Sequence, residues 1–217
     1  MRKEMSQQQN LDEQLYHQPW AAANDDSVQR SIDPTQQAHA TDMYGRVEQF
    51  LASQEGHNLT DYLQRHGKNP IALRGVGAGY LPDHAVAAVI HNGLEGVLVG
   101  NYNGRSFEER VQEMADRYHL DPQSMVEYVL SHELAHAAGY DAEADVEGLL
   151  KDYFAQQMQH AEGPERQRYQ QLHEISGQRE QQQRTDRGNH QEKPLAIVIP
   201  FQKGQYQSAN EPRAYAA

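Results

Sequence analysis

His132, Glu133 and His136 stand in the run Ser131-His132-Glu133-Leu134-Ala135-His136. If that run is helical, the two histidines share one face and lie about one turn apart. Two imidazoles so placed can reach one zinc ion at about 2.0–2.1 Å each. Glu133 follows the first histidine and projects toward the open side of such a metal, where a carboxylate can take a proton from water. The pattern therefore supplies two ligands and a general base, and it needs a third ligand from elsewhere. The plain alternative is a surface helix carrying two hydrogen-bonded histidines and no metal.

Asp141, Glu143, Asp145 and Glu147 all follow within eleven residues of His136. On a straight continuation of the helix, Glu143 would share the histidine face but sit about 10 Å further along the axis. The helix must turn for any of these acids to reach the metal, and Gly139 is where it can. Asp141 then suits the N-cap of the next helix. Glu143 and Glu147 are spaced i and i+4 on that helix, so one can ligate while the other orients a ligating histidine. Glu143 is the first choice as third ligand, Glu147 the second and Asp141 the third.

The segment HELAHAAGYDAEADVEGLL resembles the zincin metallopeptidases, specifically the gluzincin branch, with HExxH on one helix and a glutamate ligand on a later one. It also resembles the active-site region of ImmA/IrrE-type small predicted peptidases. The resemblance covers about 30 residues. It implies zinc ligands at His132 and His136, a general base at Glu133, and a Glu-x-x-x-acid pattern at Glu143 and Glu147, or one step earlier at Asp141 and Asp145. It implies an α+β, zincin-like fold: a small antiparallel or mixed sheet, a backing helix, the HExxH helix and a following helix with the acidic ligand. The implied function is a zinc-dependent peptidase whose peptide or protein substrate lies along a sheet edge, LEGVLVGNY or a neighbouring strand. The alternative is a non-catalytic binding or regulatory module on the same fold. Two departures stand out: the spacing from His136 to Glu143 is shorter than in most gluzincins, and the position that a metzincin gives its third ligand is Ala142. Tyr140, Tyr153, His160 and His173 are candidates for stabilising the tetrahedral intermediate.

The surrounding chain has the elements to position such a site. MYGRVEQFLAS (43–53) has helical apolar spacing, and NLTDYLQRHG is a second helix closed by Gly67. Strands are expected over 71–76, 84–91 and 94–102, with Asn92-Gly93 as a type I′ hairpin signal. Gly75-Val76-Gly77-Ala78-Gly79 reads as a hairpin turn rather than a phosphate loop, because Pro82 follows and no helix opens on it. Ser106 with Glu109 forms a capping box. Asp121-Pro122 places an N-cap and an N1 proline before the HExxH helix, which is expected to run to about Ala138. His57, His66, His84 and His91 are scattered and have no metal pattern. The run PLAIVIPF (194–201) reads as an edge strand returning to the domain.

Composition bounds the rest. The chain has 217 residues, no cysteine and a formal charge of −12. The missing cysteines exclude disulfide scaffolds, zinc ribbons and thiol catalysis. The charge argues against a nucleic-acid partner. No apolar run approaches the length of a membrane span and no signal peptide is visible, so a cytoplasmic protein is expected. Mean hydropathy is −0.92, low for a chain that packs end to end. Residues 41–160 hold 18 of the acidic side chains against 8 basic ones and carry most apolar patterns. The expected organisation is a mostly disordered 1–40, a zincin-like metallopeptidase domain over 41–160, a polar Gln/Arg/Glu-rich helix and linker over 161–193, and a strand and tail over 194–217.

Overall fold

The computed structural model describes residues 34–185, apart from 72, 80, 82–84, 93–94 and 103–104, together with 196–200. Among these residues the chain is α+β, with six helices and one small mixed sheet. No helix among them is long and apolar enough to cross a membrane.

Helix α1 (Pro34–Ala52) starts earlier than its apolar period suggests. Ala40, Met43, Val47 and Phe50 are buried on one face. Gln36 extends the anchored part: its Nε2 donates to the carbonyl of Ala78 at 2.9 Å. Residues 34–40 therefore belong to the packed body rather than to the expected disordered segment; residues 1–33 lie outside the described residues. Ser53 caps α2 (Gln54–His66), accepting from the Gly56 amide at 3.1 Å. A Cβ on Gly56 would meet the Phe50 carbonyl oxygen at 2.0 Å, so the tight α1–α2 corner requires glycine there.

The sheet comprises β1 (Leu73–Gly79), β2 (Ala87–Asn92), β3 (Glu95–Asn101) and β4 (Ala196–Pro200), in the order β2-β3-β1-β4. β1 is parallel to β3, and both β2/β3 and β1/β4 are antiparallel. Two expectations change here. Gly75–Gly79 is the body of interior strand β1, not a turn. Glycine permits close packing as well as turns, and Met43 of α1 lies 3.3 Å from where a Cβ on the neighbouring Gly100 would be. The β2–β3 register pairs Asn92 with Glu95, so Asn92 closes the ladder and the two-residue connection is 93–94, not Asn92-Gly93. Of the two places expected for a substrate-bearing edge, Glu95–Asn101 of LEGVLVGNY lies inside the sheet as β3 and the neighbouring strand, β2, holds the edge. The returning C-terminal run is an edge strand beside β1.

Helix α3 (Phe107–Tyr118) begins with both bonds of the Ser106–Glu109 capping box. Asp121 caps α4 (Pro122–Ala137), accepting from the Ser124 amide at 2.9 Å. Every residue of α4 from Ser124 to Ala137 is buried, making it the central helix of the domain. α5 (Glu143–His160) and α6 (Gly163–Thr185) follow as a packed pair. α6 is not the solvated helix and linker expected over 161–193. Tyr169, Leu172 and Ile175 are buried, and Tyr169 stacks on Phe154 at 6.3 Å. Those apolar residues form a narrow stripe on a helix otherwise composed of Gln, Glu and Arg, and the polar composition hides it.

Candidate metal centre

α4 carries both histidines into the interior, with His132 8% and His136 9% exposed. Their Nε2 atoms are 3.2 Å apart. The chain leaves α4 through Gly139, whose φ of +91° is one that side chains with a Cβ rarely adopt. The Tyr140 amide reaches back to the Ala135 carbonyl, and the next helix starts at Glu143. This return lays the Glu143 carboxylate against both rings: Oε2 is 3.1 Å from His132 Nε2, and Oε1 is 3.4 Å from His136 Nε2. Among the described residues, His132, His136 and Glu143 are the one group of three or more such side chains able to share a metal ion.

The spacing suits a metal. Ligand atoms about 2.05 Å from a tetrahedral zinc stand roughly 3.3 Å from one another; the two Nε2 atoms are 3.2 Å apart, and each has its own Glu143 oxygen, at 3.1 Å for His132 and 3.4 Å for His136. Each imidazole is also backed at its other nitrogen. His136 Nδ1 lies 2.6 Å from the Tyr140 carbonyl oxygen, so Nδ1 carries the proton and donates, leaving Nε2 for a ligand. His132 Nδ1 faces Glu147 Oε1 at 3.2 Å, an ion-pair distance rather than a well-aligned hydrogen bond.

Glu147, the second choice for third ligand, thus stands behind His132 on the side away from Glu143. It is fully buried. The Tyr128 hydroxyl lies 2.6 and 2.7 Å from its two oxygens, and Arg179 Nε donates to Oε1 at 2.6 Å. Asp141 neither joins the group nor caps α5. It is exposed, and the N-cap is Ala142, which has no side-chain cap bond. The tight return that brings Glu143 over the histidines moves the cap one residue past Asp141.

The electrostatics follow from burial and pairing. Burial opposes charge on His132, but the Glu143 and Glu147 carboxylates outweigh it and hold the imidazole up to about 10. Glu143 is pushed far below the usual carboxylate range: burial opposes this, and the two histidines overcome it. Glu147 is also lowered, with burial opposed by His132, Arg179 and Tyr128. In the metal-free protein a proton on His132 thus supplies positive charge among these acids. Glu133 differs. Burial raises its carboxyl, opposed by His132, His136 and the Val89 amide of edge strand β2. Its Oε2 is buried without a hydrogen-bond partner.

The four candidates for stabilising an intermediate are used elsewhere or lie apart. The Tyr140 hydroxyl donates to the His66 carbonyl at 2.7 Å, and Lys68 lies over its ring. Tyr153 is in the core, directed at the Glu55 carbonyl. His160 is exposed at the end of α5, and His173 is on α6. None joins the His132–His136–Glu143 group. Sequence reasoning missed Tyr128, Arg179 and the 66–69 segment, whose Asn69 amide donates to the Ala138 carbonyl at 3.0 Å. Tyr128 precedes His132 by four residues and had a detectable helical signal; the other two had none.

The chain matches no family model, no curated protein and no solved structure.

Proposed function

We propose that this protein is a zinc-dependent peptidase with a zincin-like fold, using His132, His136 and Glu143 as ligands and Glu133 as general base. The observation that carries the reading is the convergence of three side chains: the two Nε2 atoms stand 3.2 Å apart, near the roughly 3.3 Å between ligands of a tetrahedral zinc, and the Glu143 carboxylate spans both, with Oε2 3.1 Å from His132 Nε2 and Oε1 3.4 Å from His136 Nε2. Three protein ligands from two nitrogens and a carboxylate are the count of a catalytic rather than a structural zinc site. A zinc ion bound there supplies Lewis acidity, acidifying water and polarising a substrate carbonyl.

The chain's own groups do the rest. Glu143 and the two imidazoles would hold the ion. The Glu143 side chain is 35% exposed while the histidines are near 10%, so a substrate approaches from the Glu143 side. Glu133, adjacent to His132 and raised by burial, takes the proton of the attacking water and passes it to the leaving amine. Its unpartnered Oε2 has no competing hydrogen bond to break first.

The test is paired. Purified protein should hold zinc at near one equivalent and cleave a mixed peptide library. Glu133→Gln should keep the zinc and lose at least about 100-fold in rate, the usual scale for removing a general base. Bound zinc with no cleavage of any peptide by the wild type would identify a non-catalytic module. Absence of bound zinc would remove both readings.

A further inference from the structure

Arg179 lies on α6, 32 residues beyond Glu147 in sequence. Its Nε donates to Glu147 Oε1 at 2.6 Å. The same oxygen stands 3.2 Å from His132 Nδ1 and 2.6 Å from the Tyr128 hydroxyl. Two donors from two helices, with the His132 ring facing the same atom, thus meet on one oxygen of a fully buried carboxylate. The guanidinium carbon is 5.9 Å from the centre of the Tyr128 ring, so the ring limits where the arginine can go. A hydroxyl alone holds a carboxylate loosely. The guanidinium adds a charge-assisted bond with a fixed direction. What backs Nδ1 of a ligating histidine fixes the ring's orientation.

We infer that Arg179 is a positioning residue for the metal centre. It clamps Glu147 behind His132 so that Nε2 faces His136 and Glu143. α6 therefore belongs to the site, although it contributes no ligand. The inference rests on the proposed metal-binding reading and extends it to a helix outside the HExxH segment.

A second α5–α6 pair provides the control. Lys151 bonds Glu180, the residue after Arg179, and neither belongs to the group of candidate ligands or to the bonds that hold Glu147. Breaking it loosens the same helix pair without releasing Glu147. The experiment measures the zinc Kd of the full chain by competition with a chromophoric chelator. It also records the visible spectrum of the cobalt-substituted protein. The variants are Arg179→Met, Arg179→Lys and Lys151→Met. Arg179→Met should raise the Kd about tenfold, the lower end of the usual cost of losing an outer partner of a metal ligand, and should alter the cobalt bands. Arg179→Lys keeps the charge but not the planar fork, and should recover part of both. Lys151→Met should match the wild type.

Unchanged Kd and cobalt bands in Arg179→Met would overturn the inference, as would an equal loss in Lys151→Met. If Arg179→Met does not fold, the comparison of Arg179→Lys with wild type decides: an intermediate loss supports the inference and no change overturns it. Failure of the wild type to bind zinc or cobalt is a different result and removes the metal reading itself.

Discussion

Two arginines of α6 reach buried carboxylates of α4 and α5, and the two carboxylates behave in opposite ways. At the metal end, Arg179 bonds Glu147, whose carboxyl is lowered. Further along, Arg168 Nη1 lies 3.1 Å from Glu127 Oε2, yet Glu127 is raised to about 7 because burial outweighs the arginine. Both carboxylates are almost fully buried, so burial alone does not separate them. The number of donors does. Glu147 has Tyr128, His132 and Arg179 around it. Glu127 has Arg168 on one oxygen, while its Oε1 is buried without a partner, and Glu55 and Asp121 add repulsion. A buried carboxylate keeps its charge when donors surround it, and one cation is not enough.

The largest effect should come from deleting the well-satisfied member. Glu147→Ala leaves the Arg179 guanidinium against Tyr128 without its counter-charge, and should cost about 3–5 kcal/mol in urea unfolding of the metal-free protein. Its zinc Kd should rise about 100-fold in chelator competition.

The second test uses pH. Glu127 binds its proton more tightly folded than unfolded, so between about 4.5 and 7 the native state holds more protons. Stability should therefore fall as pH rises through that window, by up to about 3 kcal/mol, and Glu127→Gln should flatten the curve. His132 acts in a later window. Its raised value stabilises the metal-free fold fully below about 6.5, and that contribution is lost as pH rises through about 10. A zinc ion bound through His132 Nε2 would displace this proton, so calorimetry of zinc binding at pH 7 in buffers of different ionisation enthalpy should report release of about one proton.

Tyr128→Phe removes a donor shared by both Glu147 oxygens, and should cost about 2 kcal/mol. If instead it costs nothing, donor number is the wrong account of the contrast. The smallest effect belongs to His136, whose backing is a backbone carbonyl that no side-chain change removes. Tyr140→Phe loses only the bond to the His66 carbonyl. It should cost under about 1.5 kcal/mol and leave the zinc Kd within a fewfold of wild type.

The parts of this architecture readable in sequence are those built by near neighbours. The capping box at Ser106 and the cap at Asp121 are written within three residues and formed as expected. The histidine spacing is written within one helical turn, and the need to turn at Gly139 follows from the distance a straight helix would impose. The order of preference between Glu143 and Glu147 reflects a narrower margin, because both share one helix face and only the exit angle from Gly139 decides which reaches the Nε2 side. What failed to show was either long-range or masked by composition. Arg179 reads as one more charge in a polar run until α6 folds back. Gly75–Gly79 reads as a turn until β1 is enclosed by β3 and β4. Asp141 looked like a cap because its type is right, but the backbone path put the cap at Ala142.

The three candidate ligands all come from the stretch 132–143. An ion held by them closes a very short loop of chain, and the loop entropy it removes from the unfolded ensemble is small. It does not tie sheet to helix or one terminus to the other, and the buried core that joins those parts is made without it. A chelator should therefore strip the ion and leave the fold standing. That behaviour differs from a zinc finger, where losing the metal unfolds the chain: here the ion would be a guest in a finished building.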